Sequence, residues 1–411
     1  MKLAPVARAF RARGHVEHMV VHTGQHYDDD MSGIFFSDLG LSSPEFRLGI
    51  GRESSSAQIA AVLERLTPLL ISEAPDAVIV YGDVTSTMAA ALAASQLHVP
   101  VAHVEAGLRS RDGTMPEEIN RIITDHVAEL LLAPSIDAVE NLQAEGIHAN
   151  AIRFVGNVMI DTLVDALPEA RARQAAERHG LTQGEYIVAT LHRPSNVDDP
   201  RRLTDLLSAL VTLAEERDVV FPVHPRTRHR FAALGVEMPS APRLRIVDPL
   251  GYLEMLSLVD TAALVITDSG GLQEETSFLG VPCITVRPNT ERPITIAQGT
   301  NRLVRGDRGA VLEAAYTALS LRRDGPPTID RWDGQAGERI AEAIAAFVGM
   351  APSTATPSSP SPSGRMSVPA VRLPATEAAH DASSAPTAPM PAIPLVPPTG
   401  VNRLRARKKR S

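Results

Sequence analysis

Short apolar runs alternate with longer amphipathic stretches along most of this chain. Each run has the length of a strand buried on both faces, and a stretch with helical character, such as TSTMAAALAASQL, follows it. The runs predicted as strands lie, in chain order, in HMVVHTG, AVIVYGD, VPVAHVE, ELLLAPS, YIVATLH, VVFPVHP, LRIVDP, ALVITDS and PCITVRP. This alternation predicts an α/β protein in which crossover helices join parallel strands.

The predicted strands fall into two sets, separated by a polar, helical segment at about 165–184. We therefore predict two doubly wound, Rossmann-like domains, an N-terminal one at 1–165 and a C-terminal one at 166–350. An amphipathic helix at 334–348 closes the second of them. Because such sheets bind ligands at the carboxyl ends of their strands, we expect the two domains to share an interdomain cleft.

Residues 351–411 differ in composition from the rest of the chain. Twelve of the 32 prolines lie between 351 and 400, among many Ser, Ala and Thr residues. Such a segment cannot bury enough apolar area to offset its chain entropy, so we expect a disordered tail. It ends in RLRARKKRS, with six basic side chains. This end is either a solubilising tail or a weak contact for an anionic surface, a membrane or a nucleic acid.

Composition and charge exclude several classes of protein. The 411 residues suffice for two domains, and 44% hydrophobic and 21% charged residues are typical of globular proteins. The formal net charge of −8 argues against a nucleic-acid partner for the core. Cys283 is the one cysteine, so no intrachain disulfide can form. Without a signal-peptide pattern or an apolar run of 18 residues, the expected location is the cytoplasm.

The stretch TDSGGLQEET carries the first candidate chemistry. A buried strand is predicted to end at Thr267, and the chain is predicted to turn on Gly270 and Gly271 into a helix with Glu274 and Glu275. A helix N-terminus after a glycine turn offers free N–H groups to a phosphate. Ser269 adds a hydroxyl donor, and Glu275 is placed to accept the two hydroxyls of a ribose. The alternative is a plain glycine turn followed by two solvated glutamates.

Polar side chains also follow other predicted strands. Asp83 and Glu105 each come directly after a strand of the first half, and Glu117 follows about twelve residues later. His192 and His224 follow strands of the second half, each with arginines nearby. Clusters drawn from both halves are explained better by one cleft than by separate caps. The arginines and histidines suit a diphosphate, and the acids suit proton transfer at a carbon.

Metal and cofactor motifs give no comparable signal. His22 and His26 are four residues apart, but the intervening Thr-Gly pair breaks the helical face they would need to share a metal. No G-x-G-x-x-G, P-loop or G-x-S-x-G sequence occurs. We therefore predict neither a metal nor a nicotinamide cofactor.

Nine motifs follow one another between residue 1 and about 345: TGQHYDDDMS, YGDVTST, HVEAGLRS, PEEINR, VGNVMIDTL, LHRPSNVDD, PVHP, TDSGGLQEE and NTERPITIAQGTNRLV. In this ordered set the chain resembles the non-hydrolysing UDP-N-acetylglucosamine 2-epimerase family. The resemblance implies the two-domain GT-B fold. It also implies interconversion of UDP-N-acetylglucosamine and UDP-N-acetylmannosamine without a metal or nicotinamide. In the implied route C2 loses its proton, UDP leaves C1, and UDP adds back to a 2-acetamidoglucal.

The resemblance also assigns roles to single residues. Its catalytic residues match Asp83, Glu105, Glu117 and His192, and its substrate-binding residues match Lys2, His224, Ser269, Gly270, Gly271, Glu275 and Arg292. We expect Asp83 to act as a base and Glu117 to act on the opposite face of C2, while Glu105 either takes part or orients other groups. His192 is expected to help the diphosphate leave. The resemblance further suggests a homodimer and a product used for cell-surface polysaccharide.

The chain departs from the family pattern in places. Members begin with a buried strand and a Gly-Thr-Arg-Pro-Glu loop, whereas here Met1 falls where that loop ends. The first strand is thus missing, and we expect either a true start upstream or a crippled chain with open strand edges. Ser195 stands where the family commonly has Glu. The disordered tail is not required by the family.

Other functions remain open from the sequence alone. A GT-B glycosyltransferase would use the same phosphate turn but would not need the acidic trio. An epimerase acting on a diacetamido sugar nucleotide, or a hydrolysing relative, would keep nearly the same motifs. An inactive UDP-sugar binder would follow if the missing strand abolished catalysis.

Overall fold

The computed structural model describes residues 1–14, 16–24, 41, 43–51, 53–321 and 325–349. The predicted tail at 351–411 and His26 of the rejected metal pair lie outside these ranges. No helix in this part of the chain combines the length and the apolar character that a membrane span requires.

Twelve strands form within the described ranges, and nine of them lie in the apolar runs predicted as strands. In chain order they are β1 Val21–His22, β2 Phe46–Arg47, β3 Val78–Tyr81, β4 Val101–Val104, β5 Leu130–Ala133, β6 Ile152–Phe154, β7 Ile187–Thr190, β8 Val219–Pro222, β9 Leu244–Val247, β10 Leu264–Thr267, β11 Cys283–Val286 and β12 Asn301–Val304. The sequence analysis missed β2, β6 and β12. Each of these strands contains an exposed arginine, which interrupts its apolar pattern.

Helices separate most of these strands. In chain order they are α1 Leu3–Arg13, α2 Ser55–Glu73, α3 Thr85–Gln96, α4 Pro116–Val127, α5 Ile136–Ala144, α6 Val158–Ala172, α7 Ala175–Arg178, α8 Pro194–Val197, α9 Pro200–Leu213, α10 Pro225–Leu234, α11 Tyr252–Asp260, α12 Gly270–Leu279, α13 Ile294–Ala297, α14 Arg308–Ser320 and α15 Ala336–Phe347. One short 3₁₀ helix spans Ala149–Ala151.

The larger sheet has the order β12-β11-β10-β7-β8-β9, and all its strands are parallel. From β7 the chain builds outward through β8 and β9, and it then returns to add β10, β11 and β12 on the other side. The strand order therefore reverses between β7 and β10, which makes this pair the topological switch point of a doubly wound sheet. Helices α9 and α14 bury one face of this sheet, and α11 buries residues against the other.

The second sheet has four parallel strands in the order β3-β4-β5-β6. Strands β1 and β2 pair with each other in a separate two-stranded sheet. Within the described ranges no strand is hydrogen-bonded to the outer edge of β3. The two large parallel sheets with flanking helices confirm the predicted α/β class.

The C-terminal helix α15 packs on α1, at the four-stranded sheet. Val6 and Phe10 of α1 share an apolar cluster with Ile340 and Ile344 of α15 and with Leu132 of β5. Gly337 allows this close approach, since a Cβ there would lie 2.9 Å from the carbonyl carbon of Pro5. The predicted boundary at 165 falls inside α6, which contacts α11 and α12 as well as α1, so the domain division stays a prediction.

Two polar contacts fix the return of the chain to the first sheet. The carboxylate of Asp161 accepts hydrogen bonds from the backbone nitrogens of Ala336 at 3.1 Å and Gly337 at 2.6 Å, and so caps α15 from another helix. The indole nitrogen of Trp332 donates to the carbonyl of Pro134 at 3.2 Å. The segment before α15 is thereby held at the carboxyl end of β5.

We predict that Ile340→Ala lowers the free energy of unfolding by about 2–4 kcal/mol, because it leaves a cavity in the cluster that joins α15 to α1. Urea denaturation measures the loss. Ile71→Ala is the matched control, since the Ile71 residue is 64% exposed, and it should change stability by less than about 0.5 kcal/mol. Equal effects of the two substitutions would contradict the packing of α15 on the first sheet.

Candidate active site

Candidate residues gather at the carboxyl ends of strands in both large sheets. Asp83 and Glu105 follow β3 and β4 of the four-stranded sheet. His192 and Ser269 follow β7 and β10, the two strands at the switch point of the six-stranded sheet. A switch point opens a crevice between neighbouring loops, and doubly wound sheets bind their ligands there.

The turn after β10 differs from the prediction in one respect. Strand β10 ends at Thr267 as expected, but α12 begins at Gly270, so both glycines are residues of the first helical turn. Gly270 serves close packing rather than a turn, because a Cβ there would lie 2.7 Å from Nη1 of Arg292. The first turn of a helix leaves backbone N–H groups without intrahelical partners, and these suit an anion.

The His192 ring is in contact with Asp268 on its Nδ1 side. Asp268 was not among the residues predicted from the sequence. Nδ1 of His192 lies 2.9 Å from Oδ1 of Asp268, and the histidine side chain is 39% exposed. The ring of His224 lies beside it, with centroids 5.7 Å apart. Nδ1 of His224 accepts a hydrogen bond from the backbone nitrogen of Arg226 at 3.1 Å and caps α10. Burial, together with the charges of His192 and Arg226, lowers the pKa of His224.

Asp83 is fixed by residues of α4. Its carboxylate forms an ion pair with Arg121, and its carbonyl accepts a hydrogen bond from Nδ2 of Asn120 at 2.9 Å. Burial would raise the pKa of Asp83, but the charges of Arg121 and Lys2 outweigh that effect and lower it. Asp83 is therefore a carboxylate at neutral pH.

Glu105 has the left-handed backbone conformation, with φ of 71°, that residues other than glycine rarely adopt. Its carboxylate forms ion pairs with Lys2 and with Nη2 of Arg292, the latter at 3.2 Å. Glu105 belongs to the first sheet and Arg292 follows β11 of the second, so this contact joins the two sets of strand ends. A strained, doubly paired carboxylate at a strand end is typical of a functional site.

Arg292 is the centre of a buried charge cluster. Besides Glu105, it contacts Glu274 of α12, with Nε 2.7 Å from Oε1, and it forms an ion pair with Glu291. Glu291 also pairs with Arg287, where Nη2 and Oε2 are 2.8 Å apart. Burial would raise the pKa of Glu291, but the charges of Arg292 and Arg287 lower it strongly.

Glu117 lies half-buried in the first turn of α4, and its charge acts on Arg193, which follows β7 of the second sheet. Burial and the charge of Arg287 lower the pKa of Arg193, and the charges of Glu291, Asp268 and Glu117 oppose this effect. The neighbouring Glu118 has a structural position, since it accepts hydrogen bonds from the backbone of Ser110 at 2.9 Å and Arg111 at 2.8 Å. These bonds fix the loop before α4.

Glu275 is buried on the second turn of α12 and is 6% exposed. Desolvation, with the nearby charge of Glu274, raises its pKa to about 8. In the described structure without a ligand, the group is therefore largely protonated at neutral pH. A neutral carboxyl retains a donor and an acceptor for polar ligand groups such as hydroxyls.

The geometry thus brings together most of the candidate residues. Lys2, Glu105 and Arg292 are in contact, Asp83 lies within reach of the Lys2 charge, and His192 and His224 are adjacent. The residues that sequence reasoning left without a role are those that pair with the candidates, namely Arg121, Asp268, Glu274 and Glu291. Arg287 joins them through its ion pair with Glu291. Asp268 and Glu274 lie within TDSGGLQEET itself, which was the available signal.

The fold and the cleft define a class of protein. Two parallel sheets, a helix N-terminus at a switch point and charged groups from both sheets are the features of a GT-B-type nucleotide-binding enzyme. Comparison with known proteins agrees. The sequence profile of the UDP-N-acetylglucosamine 2-epimerase family matches residues 8–345.

Individual relatives are similar over nearly their whole length. A UDP-N-acetylglucosamine 2-epimerase of Methanocaldococcus jannaschii is 39% identical over 347 residues, which cover 83% of this chain and 94% of that protein. A UDP-2,3-diacetamido-2,3-dideoxy-D-glucuronate 2-epimerase of Pseudomonas aeruginosa is 42% identical over 351 residues, or 84% and 96% of the two chains.

Solved structures give the same result. The crystal structure of the M. jannaschii enzyme in complex with UDP-GlcNAc and UDP superposes with a TM-score of 0.78 at 39% identity, covering 84% of this chain and 96% of that one. The Neisseria meningitidis enzyme bound to UDP-GlcNAc gives a TM-score of 0.75 at 28% identity, covering 84% and 96%. This chain belongs to the UDP-N-acetylglucosamine 2-epimerase family, and the predicted resemblance, GT-B fold and isomerase class are confirmed.

We predict that Glu275→Gln removes a pH dependence of stability. The pKa of Glu275 is about 8 in the folded chain against an ordinary 4.5, so folding takes up a proton between these values. Its contribution to stability is full below about pH 4.5 and is lost as pH rises to about 8. The variant should gain stability relative to the wild type across this window, on the order of a few kcal/mol in total.

Urea denaturation at several pH values without a nucleotide measures the difference. Glu313→Gln, on the exposed side of α14, is the matched control for the amide substitution. A constant difference between Glu275→Gln and the wild type from pH 5 to 9 would contradict the buried, protonated state.

Proposed function

We propose that this enzyme interconverts UDP-N-acetylglucosamine and UDP-N-acetylmannosamine by inversion at C2, without hydrolysis. One observation carries the proposal beyond family membership: a carboxylate at a strand end of one sheet meets an arginine that follows a strand of the other, with Glu105 in contact with Arg292. Carboxylates can exchange a proton at carbon, while cations and helix N–H groups stabilise a departing diphosphate.

The reaction needs bond changes at two neighbouring carbons. A base takes the proton from C2, the C–H electrons form the C1–C2 double bond, and the C1–O bond breaks with its electron pair going to UDP. The intermediate is a 2-acetamidoglucal. UDP then attacks C1 again while a proton reaches C2 from the opposite face. Both fragments must stay bound and water must stay out, because the C2 proton is only weakly acidic.

We assign proton exchange at the two faces of C2 to Asp83 and Glu117. Asp83 is ionised at neutral pH because Arg121 and Lys2 lower its pKa against the effect of burial, so it is available as a base. Glu117 begins the next helix and carries no ion pair with another described residue. Glu105 is held by Lys2 and Arg292, which suits an orienting role.

The second sheet holds the nucleotide. Ser269 and the N–H groups of Gly270 and Gly271 lie at the start of α12, where they suit the diphosphate. Glu275, one turn later, is assigned to the ribose, and His224 to the nucleotide beside His192. His192 supports the departure of the diphosphate. Lys2 and Arg292 are assigned to substrate binding at the joint between the sheets.

A second substrate has a specific observation in its favour. The P. aeruginosa relative, 42% identical, is an epimerase for a UDP-2,3-diacetamido-glucuronate. Compared with the substrate proposed here, that sugar has an acetamido group in place of the 3-hydroxyl and a carboxylate in place of the C6 hydroxymethyl. Nη1 of the buried Arg287 has no hydrogen-bond partner among the residues described, and such a donor suits a carboxylate. Both sugar nucleotides therefore belong in the assay.

Proton NMR in heavy water tests the proposal. With UDP-N-acetylglucosamine alone, we expect deuterium at C2 together with UDP-N-acetylmannosamine. Exchange only with the diacetamido-glucuronate would transfer the proposal to that substrate. Free N-acetylmannosamine would indicate a hydrolysing relative. Sugar transfer to an acceptor without C2 exchange would indicate a glycosyltransferase. Binding of the sugar nucleotide without exchange or transfer would indicate an inactive binder.

Substitutions test the assigned residues. Asp83→Asn, Glu117→Gln and His192→Ala should each raise the barrier by at least about 2 kcal/mol, the scale of a lost acid–base or electrostatic contact. Steady-state kcat and the rate of C2 exchange measure the effect. Asp76→Asn is the matched control, because Asp76 is exposed and precedes β3 at the end opposite to Asp83. Turnover like that of the wild type in all three variants would refute the assignment.

We also propose that the enzyme is a homodimer. Helix α4 exposes Ile119 and Ile122, at 48% and 36%, three residues apart on one face. Exposed apolar side chains that share a helix face are typical of protein interfaces. These two side chains lie on the same helix as Glu117. Dimer contacts through them would therefore also stabilise the position of α4.

Light scattering should give twice the mass of one chain. The double variant Ile119→Asp with Ile122→Asp should give the mass of one chain, because charges cannot be buried unpaired in an interface. Met238→Asp is the control, since Met238 is 41% exposed in the other half of the chain. A wild-type monomer, or a double variant that stays dimeric, would contradict this interface.

A further inference from the structure

Asp268 accepts hydrogen bonds from three groups and lies against a fourth polar group, although it is fully buried. Its carboxylate accepts from the backbone nitrogens of His192 at 3.1 Å and Arg193 at 2.9 Å, and from Nδ2 of Asn196 at 3.0 Å. The fourth partner is Nδ1 of the His192 ring, at 2.9 Å. Asp268 directly follows β10 and the other three residues follow β7, so one carboxylate joins the two loops of the switch point.

The donors determine the state of this carboxylate. Backbone N–H and side-chain amide groups can only donate here, so both oxygens of Asp268 act as acceptors. Burial would raise the pKa of Asp268. The hydrogen bond and charge of His192 lower it, as do the side-chain hydrogen bond from Asn196 and the backbone hydrogen bond from Arg193. An ionised carboxylate cannot donate, and therefore the proton between the two side chains belongs to Nδ1 of His192.

The geometry then decides what the other ring nitrogen can do. Nε2 lies on the side of the imidazole away from Nδ1, and the His192 side chain is 39% exposed beside His224. In the neutral ring Nε2 carries a lone pair, and in the protonated ring it is a donor whose positive charge Asp268 balances. The backbone bonds of His192 and Arg193 hold the loop, and the contact of Nδ1 with Asp268 at 2.9 Å holds the ring.

We propose that Asp268 is the positioning residue for His192: it holds the Nδ1–H tautomer and directs Nε2 toward the bound ligand. The role in turnover rests on the function proposed above, where protonated Nε2 donates to an oxygen of the departing diphosphate and regains its proton when UDP adds back. Asp268 itself neither touches the substrate nor changes its protonation in this cycle.

Nitrogen NMR of the wild-type protein, with histidine labelled by nitrogen-15, tests the tautomer without any turnover. At an alkaline pH where the ring signals no longer change with pH, His192 should show a protonated Nδ1 and an unprotonated Nε2. His192→Gln assigns the signal by its disappearance. A proton on Nε2 instead, or a roughly equal mixture of tautomers, would overturn the proposal. Because this measurement needs no substrate, it stands even if the proposed epimerase activity is not found.

Kinetics of Asp268→Asn test the consequence. An amide keeps the size of the side chain but can donate to Nδ1, so the ring is no longer confined to one tautomer. We expect kcat to fall by on the order of 10²–10⁴, where the upper value is the loss for the aspartate-to-asparagine change beside the catalytic histidine of a serine protease. The Kd for UDP should change by less than about threefold, and the NMR signal of His192 should show both tautomers.

Asp198→Asn is the matched control. Asp198 lies two residues beyond Asn196, and its carboxylate pairs with Arg226 and Arg230, outside the proposed catalytic and binding groups. Turnover of Asp268→Asn within threefold of the wild type would overturn the proposal, as would equal losses of kcat and UDP affinity, which indicate a purely structural role. If the variant does not fold, the tautomer in the wild type decides.

Discussion

The guanidinium of Arg292 lies between carboxylates that belong to both large sheets. It is 2.7 Å from Glu274 of α12 and 3.2 Å from Glu105 after β4, and it also pairs with Glu291. All four side chains are at most 10% exposed, so each would be costly to bury alone. Removing one partner of a buried ion pair typically costs about 3–5 kcal/mol. The position of one strand end against the other therefore depends on this arginine.

Around this cluster, the pKa values of two neighbouring acids are shifted in opposite directions. Asp83 faces Arg121 and Lys2, which lower its pKa although burial would raise it. Glu275 lies deeper in α12 beside Glu274, and desolvation raises its pKa to about 8. One cleft thus contains an ionised acid beside the first sheet and a neutral acid beside the second. Carboxyl groups whose environments separate their pKa values are suited to different tasks, proton exchange for one and hydroxyl binding for the other.

The sequence was informative where a residue's own surroundings determine its structure. Buried strands such as β7 and β10 must be apolar along their length, and therefore they were visible as runs, whereas β6 and β12 carry exposed residues and were not. Candidate acids and histidines were found because they follow such runs. Their partners were missed, because the pairing of Asp268 with His192 joins loops 76 residues apart. Gly270 was assigned to a turn, whereas glycine is needed there because the Arg292 side chain leaves no room for a Cβ. That contact also joins residues far apart in the sequence.

Charge balance also limits how this cleft can receive a ligand. The arginines near α12 are already matched by carboxylates, with Arg292 on Glu105, Glu274 and Glu291, and Arg287 on Glu291. Apart from Nη1 of Arg287, which has no hydrogen-bond partner among the described residues, a diphosphate that enters must therefore compete with glutamates for these guanidinium groups. The N–H groups at the start of α12 meet no such competition, since no carboxylate accepts from them within the described structure. We therefore expect the anion to contact the N-terminus of α12 first. Its binding to Arg292 then requires this arginine to exchange one of its carboxylate partners, which include Glu105, for the phosphate.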